Sequence, residues 1–176
     1  MKSLRAWLGL DRTGAAGDQP ALRQILDALD QLPADRARFL AGFAFLLGRV
    51  ARADDGVSPE ETRAMEELVA KQGHLPVDQA MLVVGLAKTS TQLFAGTADY
   101  LVAREFASTA TYDDKLALLR CLFAVSAVDD AISIAEETEI HRIENELKID
   151  RADIVSARVA CRQFLPGLHA SSEEKS

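Results

Sequence analysis

The residues best placed to do chemistry are carboxylates that recur in two similar stretches. Residues 54–61 read Asp-Asp-Gly-Val-Ser-Pro-Glu-Glu, and residues 129–136 read Asp-Asp-Ala-Ile-Ser-Ile-Ala-Glu. The second stretch follows the first at an offset of 75, from 54 to 129, and apolar positions on both sides match at the same offset. A pattern that recurs at a fixed offset indicates one supersecondary unit used twice.

Carboxylates brought together by the fold would need a counter-charge. If the two stretches meet, two such groups ~5 Å apart repel by roughly 3 kcal/mol at an effective dielectric near 20. A bound cation, protonation, or arginines such as Arg49, Arg52 and Arg142 would relieve that repulsion. Ligands that are all oxygen favour Ca²⁺ or Mg²⁺ over a transition metal such as Zn²⁺. A cation site and an arginine-paired acidic surface are therefore both open.

The same residues also fit a purely structural interpretation. Ser58-x-x-Glu61 and Ser133-x-x-Glu136 each match a capping box, in which the serine hydroxyl accepts from the third helical amide and the glutamate accepts from the serine amide. Capping accounts for both serines and both glutamates without a ligand. It does not account for Asp54 and Asp129, each of which lies four residues before its serine.

The elements that must position these carboxylates are helices. Apolar residues recur at helical spacing through most of the chain, and no long segment alternates with period two, which predicts an all-α fold. We expect a compact bundle of seven to eight helices built from two helix–acidic turn–helix units, about residues 35–73 and 110–148. A helix over about 36–53 is apolar nearly all round and belongs at the centre. Asp35 is predicted to cap it, and Gly73 is predicted as the C′ residue of the next helix.

The ends of the chain differ from this core. Residues 1–17 are predicted to be a leader and linker, residues 18–166 the helical domain, and residues 167–176 a polar tail. Residues 1–10 place Leu4, Trp7 and Leu8 on one helical face, but the apolar stretch is too short for a signal peptide. Weak membrane-surface contact, packing on the domain, and disorder remain open for this segment.

Composition and motifs exclude several classes of function. A net charge of −7 and a pI near 5.0 argue against nucleic-acid binding, which needs a basic face. Cys121 and Cys161 lie in apolar helical runs and are predicted to be buried and reduced. No histidine, cysteine or serine sits in a motif with a base and an orienting acid, and no glycine-rich phosphate loop is present. We therefore expect a protein that is not an enzyme.

The two acidic stretches resemble the TerB-like (tellurite-resistance-associated) family of bacterial all-helical domains. The resemblance is carried by residues 50–61, by residues 125–137, and by the helix start at residues 148–154, and it spans about residues 20–165. The family pattern is alanine–x–Asp–Gly–x–hydrophobic–small–x–x–Glu. This chain departs from it with Asp-Asp in both copies, and Gly56 comes one position late.

The resemblance implies a compact helical fold in which the two acidic turns lie near each other and form a metal site. Matched residue by residue, the implied metal positions are Asp54, Glu61, Asp129 and Glu136. It also implies a cytoplasmic module of the tellurite-related stress response, with an unidentified protein partner near the inner face of the membrane. The resulting expectation is a cation-binding or protein-interaction module, and the alternative is an interaction domain that binds no metal.

Overall fold

The fold is described from a computed structural model over residues 20–51, 59–90, 98–127 and 132–161. Those ranges contain eight α-helices and no strand, which confirms the predicted all-α class. The helices are α1 (Pro20–Asp30), α2 (Ala34–Ala51), α3 (Pro59–Gly73), α4 (Val77–Ser90), α5 (Ala98–Thr109), α6 (Tyr112–Ser126), α7 (Ile134–Leu147) and α8 (Arg151–Cys161). The duplication of a helix–turn–helix unit stays a prediction.

Helix α2 lies at the centre of the bundle, as its composition predicts. The run Leu40–Gly48 is buried without a break, so the helix is covered on all sides. Its neighbours are α1, α4, α5, α6 and α7. A helix that is apolar all round is stable only when other helices cover every face, and the bundle supplies that cover.

Two glycines let helices approach α2 closely. A Cβ added at Gly42 would lie 2.9 Å from Cδ2 of Phe106 on α5, closer than real Cβ contacts. A Cβ added at Gly73, at the end of α3, would lie 3.3 Å from Cζ of Phe43 and 3.4 Å from Sγ of Cys121. The end of α3 therefore packs against the middle of α2 and the middle of α6. At position 73 only a glycine fits there without a shift of its neighbours.

Helix α8 lies at the edge of the bundle and packs mainly on α6. A phenol ties the first turns of these two helices together. The Tyr112 hydroxyl donates to Oδ2 of Asp153 at 2.7 Å and accepts from the Asp150 amide at 3.0 Å. Both bonds help to fix where the chain enters α8.

Two predicted caps were wrong. Helix α2 begins at Ala34, and the Ala37 amide donates to the Pro33 carbonyl at 2.9 Å, so Pro33 takes the N-cap position. Asp35 lies in the first turn, where its charge favours the positive end of the helix dipole. The prediction for Asp35 was wrong because it relied on side-chain type. The first helical hydrogen bond is accepted instead by the backbone carbonyl of Pro33, whose side chain cannot cap.

Gly73 is not the left-handed residue that follows α3. That conformation belongs to His74, with φ of 51°, and Lys148 adopts it after α7 with φ of 55°. Each is followed by a buried apolar residue, Leu75 or Ile149. Gly73 is helical, and its lack of a side chain lets Phe43 and Cys121 pack closely against it.

A glycine at position 74 should stabilise the protein. Left-handed conformation costs a residue with a side chain roughly 1–2 kcal/mol, and glycine avoids this cost. We expect His74→Gly to raise the free energy of unfolding by about 1 kcal/mol relative to His74→Ala, since both remove the same exposed imidazole. Urea unfolding of the two variants measures the difference, and equal stability would contradict the assignment.

Candidate functional site

The four predicted metal positions are described to different extents. Asp54 and Asp129 lie outside the described residues, so the prediction for them is untested. Glu61 belongs to α3, but its side chain is likewise outside the description. Glu136 lies in the first turn of α7, where its side-chain contacts are defined.

Glu136 forms the predicted capping box with Ser133. The Ser133 hydroxyl accepts from the Glu136 amide at 3.2 Å, and Oε2 of Glu136 accepts from the Ser133 amide at 2.8 Å. Ser133 has the extended backbone of an N-cap, with φ of −68° and ψ of 157°. The structural interpretation of the second acidic stretch is thus confirmed for this pair, and it engages one oxygen of the Glu136 carboxylate.

A buried arginine joins the end of α2 to α7. The Arg49 side chain is only 7% exposed, and its Nε donates to Oε1 of Glu139 at 2.6 Å. Its two terminal nitrogens donate to both oxygens of Glu146, at 2.7 and 3.2 Å. Because Glu139 and Glu146 are two turns apart, they lie on one face of α7. The guanidinium lies between them and donates to both.

The pairing decides the electrostatics of this face of α7. Burial by itself lowers the pKa of Arg49, but hydrogen bonds and charge from Glu146 and Glu139 outweigh it and raise that pKa above its usual value. Arg142 adds a second cation, with Nη1 3.3 Å from Oε2 of Glu139. Two arginines therefore balance two carboxylates of α7 that lie outside the acidic turns. An arginine-paired arrangement of the turns themselves stays a prediction.

A second, largely exposed ion pair links α7 to α8. Nη1 of Arg158 donates to Oε1 of Glu137 at 2.5 Å. The same guanidinium lies over the Phe123 ring of α6, 5.2 Å from its centroid. Arg158 thus contacts both α6 and α7. The Glu137 carboxylate is paired in this contact, which lies on an exposed side of α7.

Two buried polar atoms in the described part of the chain have no hydrogen-bond partner. They are Oγ of Ser126 and Oε1 of Glu144. The other oxygen of Glu144 lies 3.1 Å from Nδ1 of His141, whose ring is largely exposed. An unpartnered buried carboxylate oxygen costs free energy, so Glu144 is a polar group that stability alone does not explain.

The two cysteines behave as small apolar residues. Both are buried and free, as the sequence predicts. Burial raises the pKa of the Cys121 thiol well above its usual range and also raises that of Cys161. Both sulfurs therefore stay protonated near neutral pH, when they are weak nucleophiles and weak metal ligands.

Two features are absent from the described residues, a metal-binding cluster and a membrane-spanning helix. No group of three or more histidine, cysteine, aspartate or glutamate side chains is arranged there to hold a metal ion. Among the helices of those ranges, none combines the length and apolar content needed to cross a membrane.

Sequence reasoning noticed Arg49 but missed its role. The sequence analysis offered it as a counter-charge for the acidic turns, whereas it pairs with Glu139 and Glu146, carboxylates 90 and 97 residues further along the chain. One signal was available in the sequence. Glu139 and Glu146 are seven residues apart on a helix with an apolar face, so both lie on the same side of it and can share one cationic partner. Nothing local indicated which arginine they would meet.

Comparison with known proteins identifies one related family. The family model described as tellurite resistance protein TerB matches residues 39–159, which is well over half of the chain. The match begins in α2 and ends in α8, so it includes both acidic stretches and the helices on either side of them. No curated protein and no solved structure matches the chain significantly.

Removing the Arg49 guanidinium should destabilise the protein strongly. Deleting one partner of a buried ion pair typically costs 3–5 kcal/mol, because the other charge is left without compensation. Glu139 and Glu146 are partly exposed, so we expect Arg49→Met to cost about 3 kcal/mol, the low end of that range. Urea unfolding provides the measurement.

Arg142→Met is the matched control. Its side chain is 67% exposed, and surface ion pairs contribute at most about 1 kcal/mol. Adding Glu139→Gln and Glu146→Gln to Arg49→Met should recover part of the loss, because neutral amides no longer repel each other. Equal effects of the two arginine variants would show that Arg49 does not fix α2 to α7.

Proposed function

This chain belongs to the tellurite resistance protein TerB family, and we propose that it is a non-enzymatic module of the tellurite-related stress response. In this proposal the two acidic turns form one site that binds a divalent cation or presents a cation-dependent surface to a protein partner. The site residues are Asp54 and Glu61 from the first turn, and Asp129 and Glu136 from the second.

The contact between Arg49 and Glu139 is the observation that carries the proposal. Arg49 lies in the last turn of α2, directly before the first acidic turn. Glu139 lies in the second turn of α7, shortly after the second acidic turn. Because the contact brings the end of α2 to within about two turns of the start of α7, it supports a shared region for the carboxylates that follow one helix and precede the other.

The chemistry of the donors favours a hard cation. All four proposed ligands are carboxylates, which suits Ca²⁺ or Mg²⁺ better than Zn²⁺. The capping box engages only Oε2 of Glu136, and an ionised carboxylate accepts at two oxygens. Capping and cation binding at Glu136 are therefore compatible.

A second candidate function is an interaction domain that binds no metal. The contacts on α7 favour it, since Glu136 caps the helix while Glu137 and Glu139 are paired with arginines. In that case the acidic turns only end and start helices, and the surface of the bundle docks a protein partner. The two candidates differ in the role of Asp54 and Asp129.

The cellular setting forms part of the same proposal. We place the protein in the cytoplasm, where residues 1–10 can touch the inner face of the membrane through Leu4, Trp7 and Leu8. The acidic net charge of −7 makes nucleic acid an unsuitable partner. A protein partner that responds to the cation-bound state fits both the family and the absence of a catalytic motif in the sequence.

Thermal unfolding with and without cations tests the proposal. Chelator-treated protein is heated alone and with millimolar Ca²⁺, Mg²⁺, Mn²⁺ or Zn²⁺. Binding to the folded state alone, at a hundred times Kd, adds about 2.7 kcal/mol to stability, which raises Tm by several degrees. We expect a shift with Ca²⁺ or Mg²⁺, lost in Asp54→Ala/Asp129→Ala, and a higher metal-free Tm in that variant because its repulsion is relieved.

Asp30→Ala/Asp113→Ala is the matched control, since it removes two exposed aspartates outside the acidic turns. This control should keep the cation shift. No shift with any cation, together with a lower Tm of Asp54→Ala/Asp129→Ala, would reject the cation site and leave the interaction domain.

A further inference from the structure

Helix α4 carries an apolar ridge that the described bundle leaves uncovered. Val77 is 68% exposed and Met81 is 52% exposed, although the rest of this helix supplies core residues such as Val84 and Ala87. Val77, Met81 and Gly85 are spaced four apart and follow one another along a single face. Two large exposed apolar side chains one turn apart, on a helix that otherwise packs in the core, form a small apolar patch.

Helix α1 already covers the far end of this face. Cδ1 of Ile25 lies so close to Gly85 that a Cβ added there would be 2.9 Å away. The start of α2 lies beside the start of α4, since Arg36 donates to Oε1 of Gln79 at 2.9 and 2.6 Å. Helix α1 therefore runs antiparallel to α4, and its first residue, Pro20, lies toward the C-terminal end of α4.

The chain that leads into α1 has the properties to cover the rest of the ridge. Residues 1–10 carry Leu4, Trp7 and Leu8 on one helical face. The connecting residues 11–19 can span about 30 Å, which exceeds the ~21 Å length of α4. A segment that ends at Pro20 can thus lie along α4 beside α1 and reach Met81 and Val77.

Charge and area favour this segment over other occupants. Residues 1–12 hold three basic residues and one acidic residue in a chain of net charge −7, and exposed Asp78 lies beside the ridge. A second copy would need about 800 Å² per partner for a stable interface, which two side chains do not offer. A tethered segment needs much less, because its effective concentration is in the millimolar range.

We propose that residues 1–10 dock on the Val77–Met81 ridge of their own chain, beside α1. The docked segment extends the apolar contact that Ile25 makes at Gly85. Docking buries the same side chains that would touch a membrane, so the two uses of the segment exclude each other. The proposal does not depend on a cation, and its test is carried out in chelator.

Trp7 reports the docking directly, because it is the single tryptophan of the chain. In folded wild-type protein we expect its fluorescence to be blue-shifted and several-fold less quenched by acrylamide than in urea-unfolded protein. Val77→Lys/Met81→Lys should move both readings toward the unfolded values, since lysines on the ridge remove apolar area and repel Lys2 and Arg5. Both positions are exposed, so far-UV circular dichroism and Tm should stay near wild type.

Val155→Lys/Val159→Lys is the matched control. Among the described residues these valines form a second exposed apolar pair at a spacing of four, on α8, whose main neighbour is α6 rather than α1. This control should leave Trp7 shielded. The proposal is overturned if the α8 variant alone releases Trp7, or if native and unfolded emission agree.

Two further outcomes also reject it. Shielding that grows with protein concentration would assign the ridge to a second copy of the chain. Shielding that arises only when anionic lipid vesicles are added would assign residues 1–10 to the membrane.

Discussion

The burial of α2 is the constraint on which the rest of the bundle depends. A helix with apolar residues on every side cannot lie at a surface, so five other helices must be arranged around it. Their distances are set by small residues, since Gly42 admits Phe106 and Gly73 admits Phe43. Where α2 reaches the edge of the core it carries Arg49, and the cost of burying that charge is offset by two carboxylates on α7.

The position of the proposed site follows from this arrangement. Arg49 joins the end of α2 to α7 through hydrogen bonds, which require a defined geometry. Apolar packing alone would allow the two helices more freedom to shift along each other. The acidic turns are attached to these two helix ends. The same contacts also pair Glu139 and Glu146 with an arginine, so these two carboxylates are not available to a cation. A structural ion pair and a ligand site can thus occupy neighbouring turns of α7 without competing for the same oxygens.

Local chemistry made most of the helices predictable, and contacts between distant residues account for the errors. The bounds of α3, α6 and α7 follow from apolar spacing and from local caps such as Ser133 with Glu136. The role of Gly73 was missed because Phe43 and Cys121 approach it from other helices. At the candidate site, the capping box of Glu136 could be predicted in the same local way. The partners of Arg49 could not be predicted from the sequence, since they lie 90 and 97 residues away.

The central position of α2 also has a consequence for biosynthesis. This helix is complete once residue 51 has been made, but α7 is complete only at residue 147. At 5–20 residues per second, the ribosome needs on the order of 10 s to make the chain between them. During that interval a strongly apolar helix has left the ribosome without its later neighbours. The apolar faces of α2 therefore stay without their native cover until the later helices have been made.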